Sequence, residues 1–349
     1  MSINEPTLEL TREAMKRKLS NVLPDFEITA KAELVFEINR LKKERGAIIL
    51  GHNYMEPALF QTVPDIVGDS LQLSREAAKT LKNPIIFCGV KFMAETAKIL
   101  NPEKTVLLPA KEAGCSLAAS ITAEDVRELR RRYPGVPIVT YINTYADVKA
   151  EVDYCCTSGN AVKLVQSLPG DAVIFLPDEY LGKNVAAETG KTVIIPDLSK
   201  PAEPVQIGKP VMIGWKGRCE VHERFTVDDI KAVREQYPGV LVITHPESSP
   251  EVVAASDCSS STSKMADYVR NTNAPAYLIL TECSMADNII AENPDKEIVR
   301  MCSIRCPHMN QITLEDTLHA LRANQYEIDV PKEIRDRARV SLDRMLAVG

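Results

Sequence analysis

Long apolar runs are missing from this 349-residue sequence, which excludes a membrane-spanning helix of ordinary length. Such a helix needs roughly 18 to 20 consecutive apolar residues. The opening MSINEPTLEL lacks the basic-then-apolar order of a secretory signal, so a cytoplasmic location is expected. Positive charge is not in excess either: 42 Lys and Arg stand against 48 Asp and Glu, a net charge of -6. That balance argues against a nucleic-acid partner, because phosphate backbones are held mainly by clustered cations. The cysteine count is nine, an odd number, and a reducing compartment disfavours a disulfide framework. Thiol chemistry or metal binding is therefore the open question. The length exceeds one ordinary core and suggests two or three domains.

What the chain does contain is a repeat. TAEDVRELRRRYPGVPIVTYIN, starting at Thr122, matches TVDDIKAVREQYPGVLVITHPE, starting at Thr226, without a gap at an offset of 104. Thr122 and Thr226 read as helix N-caps, with Asp125 and Asp229 placed as in a capping box. Each helix should stop at Tyr-Pro-Gly, because proline ends it and glycine tolerates the left-handed turn that follows. A short apolar strand comes next, at Ile138 to Thr140 and at Leu241 to Thr244. A further copy lies at an offset of 89, where Gly46 to Tyr54 aligns with Gly135 to Asn143. Its helix carries Leu34, Val35, Ile38 and Leu41 on one face.

After the first strand each copy has an aspartate and then a polar pair at a helix start: Asp65 with Asp69-Ser70, Asp153 with Thr157-Ser158, and Asp257 with Ser261-Thr262. A second strand recurs at Ile85 to Phe87, Val173 to Leu176 and Tyr277 to Leu280. Third-strand candidates follow at Val106 to Leu108, Val193 to Ile195 and Ile298-Val299, and Leu198 to Ile213 reads as an insertion. The alternation predicts an α/β protein of three similar small parallel-sheet domains with flanking helices, arranged around a pseudo-threefold axis. The expected boundaries are an N-terminal extension at 1–34, a first repeat at 35–115 joined by C-terminal helices at 313–349, a second at 116–219 and a third at 220–312. Leu314, Leu318 and Leu321 give the first C-terminal helix an apolar face expected to pack back on the first unit.

The last strand of every copy leads into a loop with one cysteine: Cys115, Cys219 and Cys306. Ligands of open parallel sheets bind beyond the carboxyl ends of the strands. Three such edges around one axis make a central site. The first strands would deliver His52 and Tyr54, Tyr141 and Asn143, and His245 and Glu247, pairs whose spacing points both members the same way. Hydroxyls at helix starts add anion sites. Three converging cysteines can hold a [4Fe-4S] cluster, which ordinarily takes four thiolates, leaving one iron open to act as a Lewis acid. A three-cysteine zinc site is the competitor by ligand count, although the cysteines lack the short zinc-finger spacing.

Glu247 is the leading acid-base candidate, since a carboxylate beside a histidine in a closed pocket has its pKa tuned. The alternative is a solvated loop glutamate. His222, three residues after Cys219, His52 and His245 are assigned to the site over a purely structural role. His319 falls within a terminal helix, and His308 is left open. Tyr54 and Tyr141 can donate protons or orient a carbonyl, and their matched places in the repeats favour function over packing. Cys88, Cys155, Cys156, Cys258 and Cys283 sit in apolar patterns and read as core filler. Cys302 precedes Cys306 by four residues and reads as an unligated thiol, with an alternative ligand or a redox partner of Cys306 as the competing reading.

Several strings carry a family resemblance: Ile48-Ile-Leu-Gly-His52-Asn-Tyr54, Val67-Gly-Asp-Ser70-Leu-Gln-Leu, Gly89-Val-Lys-Phe-Met-Ala-Glu95, Cys156-Thr-Ser-Gly-Asn160-Ala-Val, Thr244-His-Pro-Glu247 and Thr313-Leu-Glu-Asp-Thr-Leu-His319. In this order they resemble the quinolinate synthase family, from about residue 35 to the end. The resemblance implies an enzyme of NAD biosynthesis that condenses iminoaspartate with dihydroxyacetone phosphate, losing phosphate and two waters, around one three-cysteine [4Fe-4S] cluster. It implies substrate contacts from His52, Ser70, Tyr141, Asn143, Ser158, Ser261 and Thr262, and proton transfers by Tyr54, His222, His245 and Glu247. The open iron would serve the dehydration, and functional coupling to L-aspartate oxidase is implied as the source of iminoaspartate. Some members carry Cys-x-x-Cys-x-x-Cys at the third ligand, whereas this chain has Cys302 and Cys306; the Cys-x-x-Met spacing fits Cys306 and Met309, and Met309 would pack over the cluster. Two other readings remain at this point, a three-cysteine zinc hydrolase and a non-enzymatic, cluster-bearing metabolite sensor.

Overall fold

A computed structural model describes residues 2–201, 208–301 and 304–348. Three wholly parallel sheets follow one another along the chain. The first contains β1 (Ile48–His52), β2 (Ile66–Gly68), β3 (Ile85–Cys88) and β4 (Val106–Leu107), in the order β2-β1-β3-β4. The second contains β5 (Ile138–Tyr141), β6 (Tyr154–Cys156), β7 (Ala172–Leu176), β8 (Thr192–Ile194) and β9 (Val211–Ile213), in the order β6-β5-β7-β9-β8. The third contains β10 (Leu241–Thr244), β11 (Cys258–Ser259), β12 (Tyr277–Leu280) and β13 (Ile298–Arg300), in the order β11-β10-β12-β13. The three-unit α/β architecture matches the expectation from the repeats. Central strands are buried along their length, which is why they read as apolar runs rather than alternating patterns.

The repeated aspartate has a structural task. Asp65 accepts the backbone N–H of Ile49 at 3.0 Å, Asp153 that of Ile138 at 2.8 Å and Asp257 that of Val242 at 2.8 Å. In each unit the backbone N–H of the same aspartate also donates back to the carbonyl of that strand residue. A side chain and a main chain thus lock the first strand of each unit to the segment that follows it. The repeated helices also end as their sequences require: Thr122 and Thr226 form reciprocal capping boxes with Asp125 and Asp229, and Gly135 and Gly239 take positive φ after the proline.

One strand assignment is corrected. Val193 to Ile195 was expected as the third strand of the second unit, but β9 pairs with β7 and occupies that place. The insertion supplies a second apolar strand, and the fully buried β9 takes the inner position while the more exposed β8 moves to the edge.

Both chain ends fasten units together. The helix Leu8–Leu19 rests on the helix Asp25–Glu44 and on Cys283–Glu292 of the third unit. The helix Leu314–Ala323 packs on Asp25–Glu44 and β3 of the first unit. Residues 326–328 run antiparallel beside β4 through bonds between Leu108 and Tyr326 and between Ile328 and Val106. The last helix, Lys332–Ala347, lies against β6 and Ala146–Lys149 of the second unit and against Lys91–Leu100 of the first.

Candidate active site and metal centre

The carboxyl ends of β1, β5 and β10 and the three cysteine loops open on one cavity. Its walls include His52, Tyr54, Ser70, Cys115, Tyr141, Asn143, Ser158, Cys219, His222, His245, Glu247, Thr262 and Cys306. Of the residues assigned to the site from sequence, only Ser261 stands behind the wall, where its hydroxyl donates to Asp69 at 3.0 Å. His308 and Met309 also line the cavity, while His319 is remote and bonds Gln325. Cys88, Cys155 and Cys156 are buried in the core. Cys302 lies outside the described residues.

The three cysteine loops are the same structure three times. The carbonyl two residues before each cysteine accepts from the first residue of a helix: Lys91 N–H to Ala113 O at 2.8 Å, Glu179 N–H to Gly217 O at 2.7 Å and Cys283 N–H to Ile304 O at 3.1 Å. The cysteine carbonyls accept in turn from Ala119 at 3.0 Å, Glu223 at 3.0 Å and Asn310 at 3.1 Å. Backbone N–H groups two and three residues after each cysteine are directed at its sulfur. By this geometry Cys306 is the counterpart of Cys115 and Cys219. A sequence signal for it existed: each of the three is followed by Thr at the seventh position and Asp at the tenth, through Thr122-Asp125, Thr226-Asp229 and Thr313-Asp316. Thr313 caps the helix Leu314–Ala323 as its counterparts cap theirs, so the ring closes with a further copy of the repeated helix.

Burial pushes the Cys115 thiol up to about 12, the Cys306 thiol up to about 11 and the Cys219 thiol well above its ordinary value. Left alone these groups are neutral thiols. A metal centre supplies the positive charge that favours their thiolates, and the directed amides favour sulfur carrying negative charge. Three sulfurs on one cavity, each facing two amides, fit a cluster held by three cysteines. A tighter group is also present: ligand atoms of Cys219, His222 and Glu247 lie within 4.8 Å of one another.

The histidines differ in what they can do. His52 Nδ1 accepts the Tyr54 N–H at 3.2 Å, and His245 Nδ1 accepts the Glu247 N–H at 3.4 Å, the same local bond in the first and third units. Burial lowers His52 to about 4 and His245 to about 3, against partial opposition from nearby carboxylates. Both rings are therefore neutral, with the proton on Nε2, and act as hydrogen-bond donors. His222 stacks on His245 with ring centroids 4.7 Å apart. Its Nδ1 is 2.7 Å from Glu247 Oε2 and 3.2 Å from Cys219 Sγ. Burial opposes the charge on Glu247, but His222, His245 and a bond from Tyr141 outweigh it and hold the carboxyl below the usual carboxylate range. Asn143 Nδ2 adds a contact to Glu247 at 3.4 Å.

Thr281 was not singled out from the sequence. Its hydroxyl lies 2.6 Å from the Tyr54 phenol and 2.9 Å from His222 Nε2. The repeat comparison could not find it, because the matching positions are Gly89 and Pro177, which have no hydroxyl. Asn53 and Ser263 were missed for a related reason: they join units rather than line the cavity. Asn53 donates to Thr262 at 2.9 Å and Ser263 at 3.3 Å, and Ser263 accepts the Asp69 N–H at 3.1 Å.

Residues 36–347 match the family model described as quinolinate synthetase A protein. The chain is 50% identical over 331 residues to "Quinolinate synthase 2" of Mesorhizobium japonicum, covering 95% of this chain and 96% of that protein. It is 48% identical over 347 residues to quinolinate synthase of Agrobacterium fabrum, covering 99% and 94%. Quinolinate synthase of Caulobacter vibrioides is 46% identical over 345 residues, covering 98% and 89%.

Proposed function

The chain belongs to the quinolinate synthetase A family, and from that premise we propose that it condenses iminoaspartate with dihydroxyacetone phosphate to quinolinate, releasing phosphate and two waters. The observation that carries this reading is the shared cavity, where three cysteine loops from three units meet the imidazoles of His52, His222 and His245, the phenols of Tyr54 and Tyr141 and the carboxylate of Glu247. The family is one of enzymes of NAD biosynthesis, which removes the metabolite-sensor alternative. Among the described residues no helix is long and apolar enough to cross a membrane. We place the activity in the cytoplasm, with L-aspartate oxidase as the source of iminoaspartate.

Cys115, Cys219 and Cys306 would hold one [4Fe-4S] cluster. When bound, that cluster supplies an open iron, a Lewis acid suited to a hydroxyl or carbonyl oxygen during dehydration. The chain's own groups supply the rest. His52 and His245, neutral at working pH, donate Nε2–H bonds to carboxylate or carbonyl oxygens. The hydroxyls of Ser70, Ser158 and Thr262 take further substrate oxygens. The helix Thr262–Asn271 has no side-chain cap on its first amides, so they remain available to phosphate or carboxylate. Ser261 serves indirectly, through Asp69. Tyr141 and Asn143 orient Glu247 by the bonds they make to it.

Proton movement has a ready path. Glu247, His222, Thr281 and Tyr54 form a chain with steps of 2.7, 2.9 and 2.6 Å. With Glu247 ionised, His222 Nδ1–H donates to it, His222 Nε2 accepts from Thr281 and Thr281 from Tyr54, so each link hands its proton toward the carboxylate. A proton taken up at the phenol is matched by one that Glu247 gains and can return. Every member of the path is buried.

The test is anaerobic turnover. Protein supplied with iminoaspartate, generated from oxaloacetate and ammonia, and with dihydroxyacetone phosphate should yield quinolinate and phosphate in equal amounts. Absence of quinolinate from iron-replete protein contradicts the proposal. The close approach of Cys219, His222 and Glu247 favours a second reading, a single zinc ion at a hydrolytic site. That reading uses one cysteine of three and leaves the matched loops of Cys115 and Cys306 without a role. Zinc in place of iron in freshly purified protein would support it.

A further inference from the structure

The position that begins the helix before each cysteine loop differs among the units: it is a carboxylate in the second and third and apolar in the first. In the third unit this N-cap position is Glu282, whose carboxylate accepts the Cys306 N–H at 3.4 Å. In the second unit it is Asp178, a buried carboxylate that accepts the Leu181 N–H of its own helix at 2.8 Å. In the first unit it is Val90, which offers no oxygen. The Cys115 N–H is instead turned toward the hydroxyl of Tyr145, a residue of the second unit. That hydroxyl stands 3.4 Å from where a side chain on Gly114 would begin, directly beside the peptide that leads into Cys115.

Tyr145 is itself held by the first unit. The next residue, Ala146, donates its N–H to Glu95 Oε2 at 2.9 Å, and Lys91 Nζ lies over the Tyr145 ring, 5.3 Å from its centre. Lys91 and Glu95 both belong to the helix Lys91–Leu100, whose first N–H pins the Cys115 loop through Ala113. The two units therefore exchange supports: the first fixes Tyr145, and Tyr145 faces back to the Cys115 peptide.

We infer that Tyr145 is a positioning residue for Cys115, providing from the neighbouring unit the acceptor oxygen that Val90 does not. Resting on the cluster reading above, it fixes the orientation of one of three ligand peptides and ties that ligand to closure of the first unit on the second. Tyr145 is not among the residues lining the cavity, so it acts through Cys115 and not on substrate.

The experiment compares anaerobically purified wild type with Tyr145→Phe, using Tyr154→Phe as a control at a tyrosine that packs against Arg344. Iron release to a chelator should be about fivefold faster in Tyr145→Phe, the worth of one hydrogen bond. The EPR spectrum of its reduced cluster should change, and KM for dihydroxyacetone phosphate should not. Iron release and EPR identical to wild type in Tyr145→Phe overturn this inference while leaving the cluster reading intact. Wild type that carries no iron-sulfur cluster overturns the cluster reading itself.

Discussion

The hydroxyl of Thr281 lies 2.6 Å from the phenol of Tyr54 and 2.9 Å from His222 Nε2, joining a residue of the first unit to one beside the second cysteine. A hydroxyl both donates and accepts, so Thr281 can relay a proton that neither neighbour could pass directly across their 3.3 Å contact without losing its other bonds.

Replacing Thr281 with valine keeps the shape and removes the relay. We expect kcat to fall about tenfold with KM within about twofold, because the interaction serves the reaction and not ground-state binding. Thr281→Ser should retain most of the activity. Steady-state kinetics of the two variants distinguishes this from a packing role, which would make the serine variant as poor as the valine one.

The strand-locking aspartates should act on stability alone. Asp257→Ala frees the buried N–H of Val242, and we expect a loss of about 1 to 3 kcal/mol in denaturant unfolding. The thermal midpoint should drop while KM stays as in wild type. A variant of unchanged stability would refute the role assigned to this residue and to its counterparts Asp65 and Asp153.

His52 sets a pH dependence of known sign. Its folded pKa is lowered to about 4 by burial. Between about pH 6.5 and that value the unfolded chain binds a proton that the folded protein refuses, so stability falls as pH falls. The slope from this one side chain is at most about 1.4 kcal/mol per pH unit. His52→Gln should lose less stability than wild type between about pH 6.5 and 5 in anaerobic urea titrations. Parallel slopes would mean that His52 is not held neutral.

Much of this architecture was legible because it is written three times. The capped helices at Thr122 and Thr226, the aspartate after each first strand and the cysteine after each last strand all recur at matched positions, and matched positions expose their shared physical task. What repeats could not reveal were residues doing a job in one unit only. Thr281 has glycine and proline as counterparts, and Tyr145 compensates for a valine that breaks the pattern. The misplaced third strand of the second unit has the same origin: Val193 to Ile195 and Val211 to Ile213 are both short and apolar, and only burial against β7 decides which lies inside.

The central claim is that Cys115, Cys219 and Cys306, three equivalent positions on three units, together hold one [4Fe-4S] cluster. Its most direct measurement is the visible spectrum and iron content of anaerobically purified wild type beside Cys115→Ala, Cys219→Ala, Cys306→Ala and Cys302→Ala. The account predicts a brown protein with about four irons per chain, retained in Cys302→Ala and lost in each of the other three variants. A colourless protein containing zinc, or a cluster that survives the loss of Cys306 and not of Cys302, would contradict it.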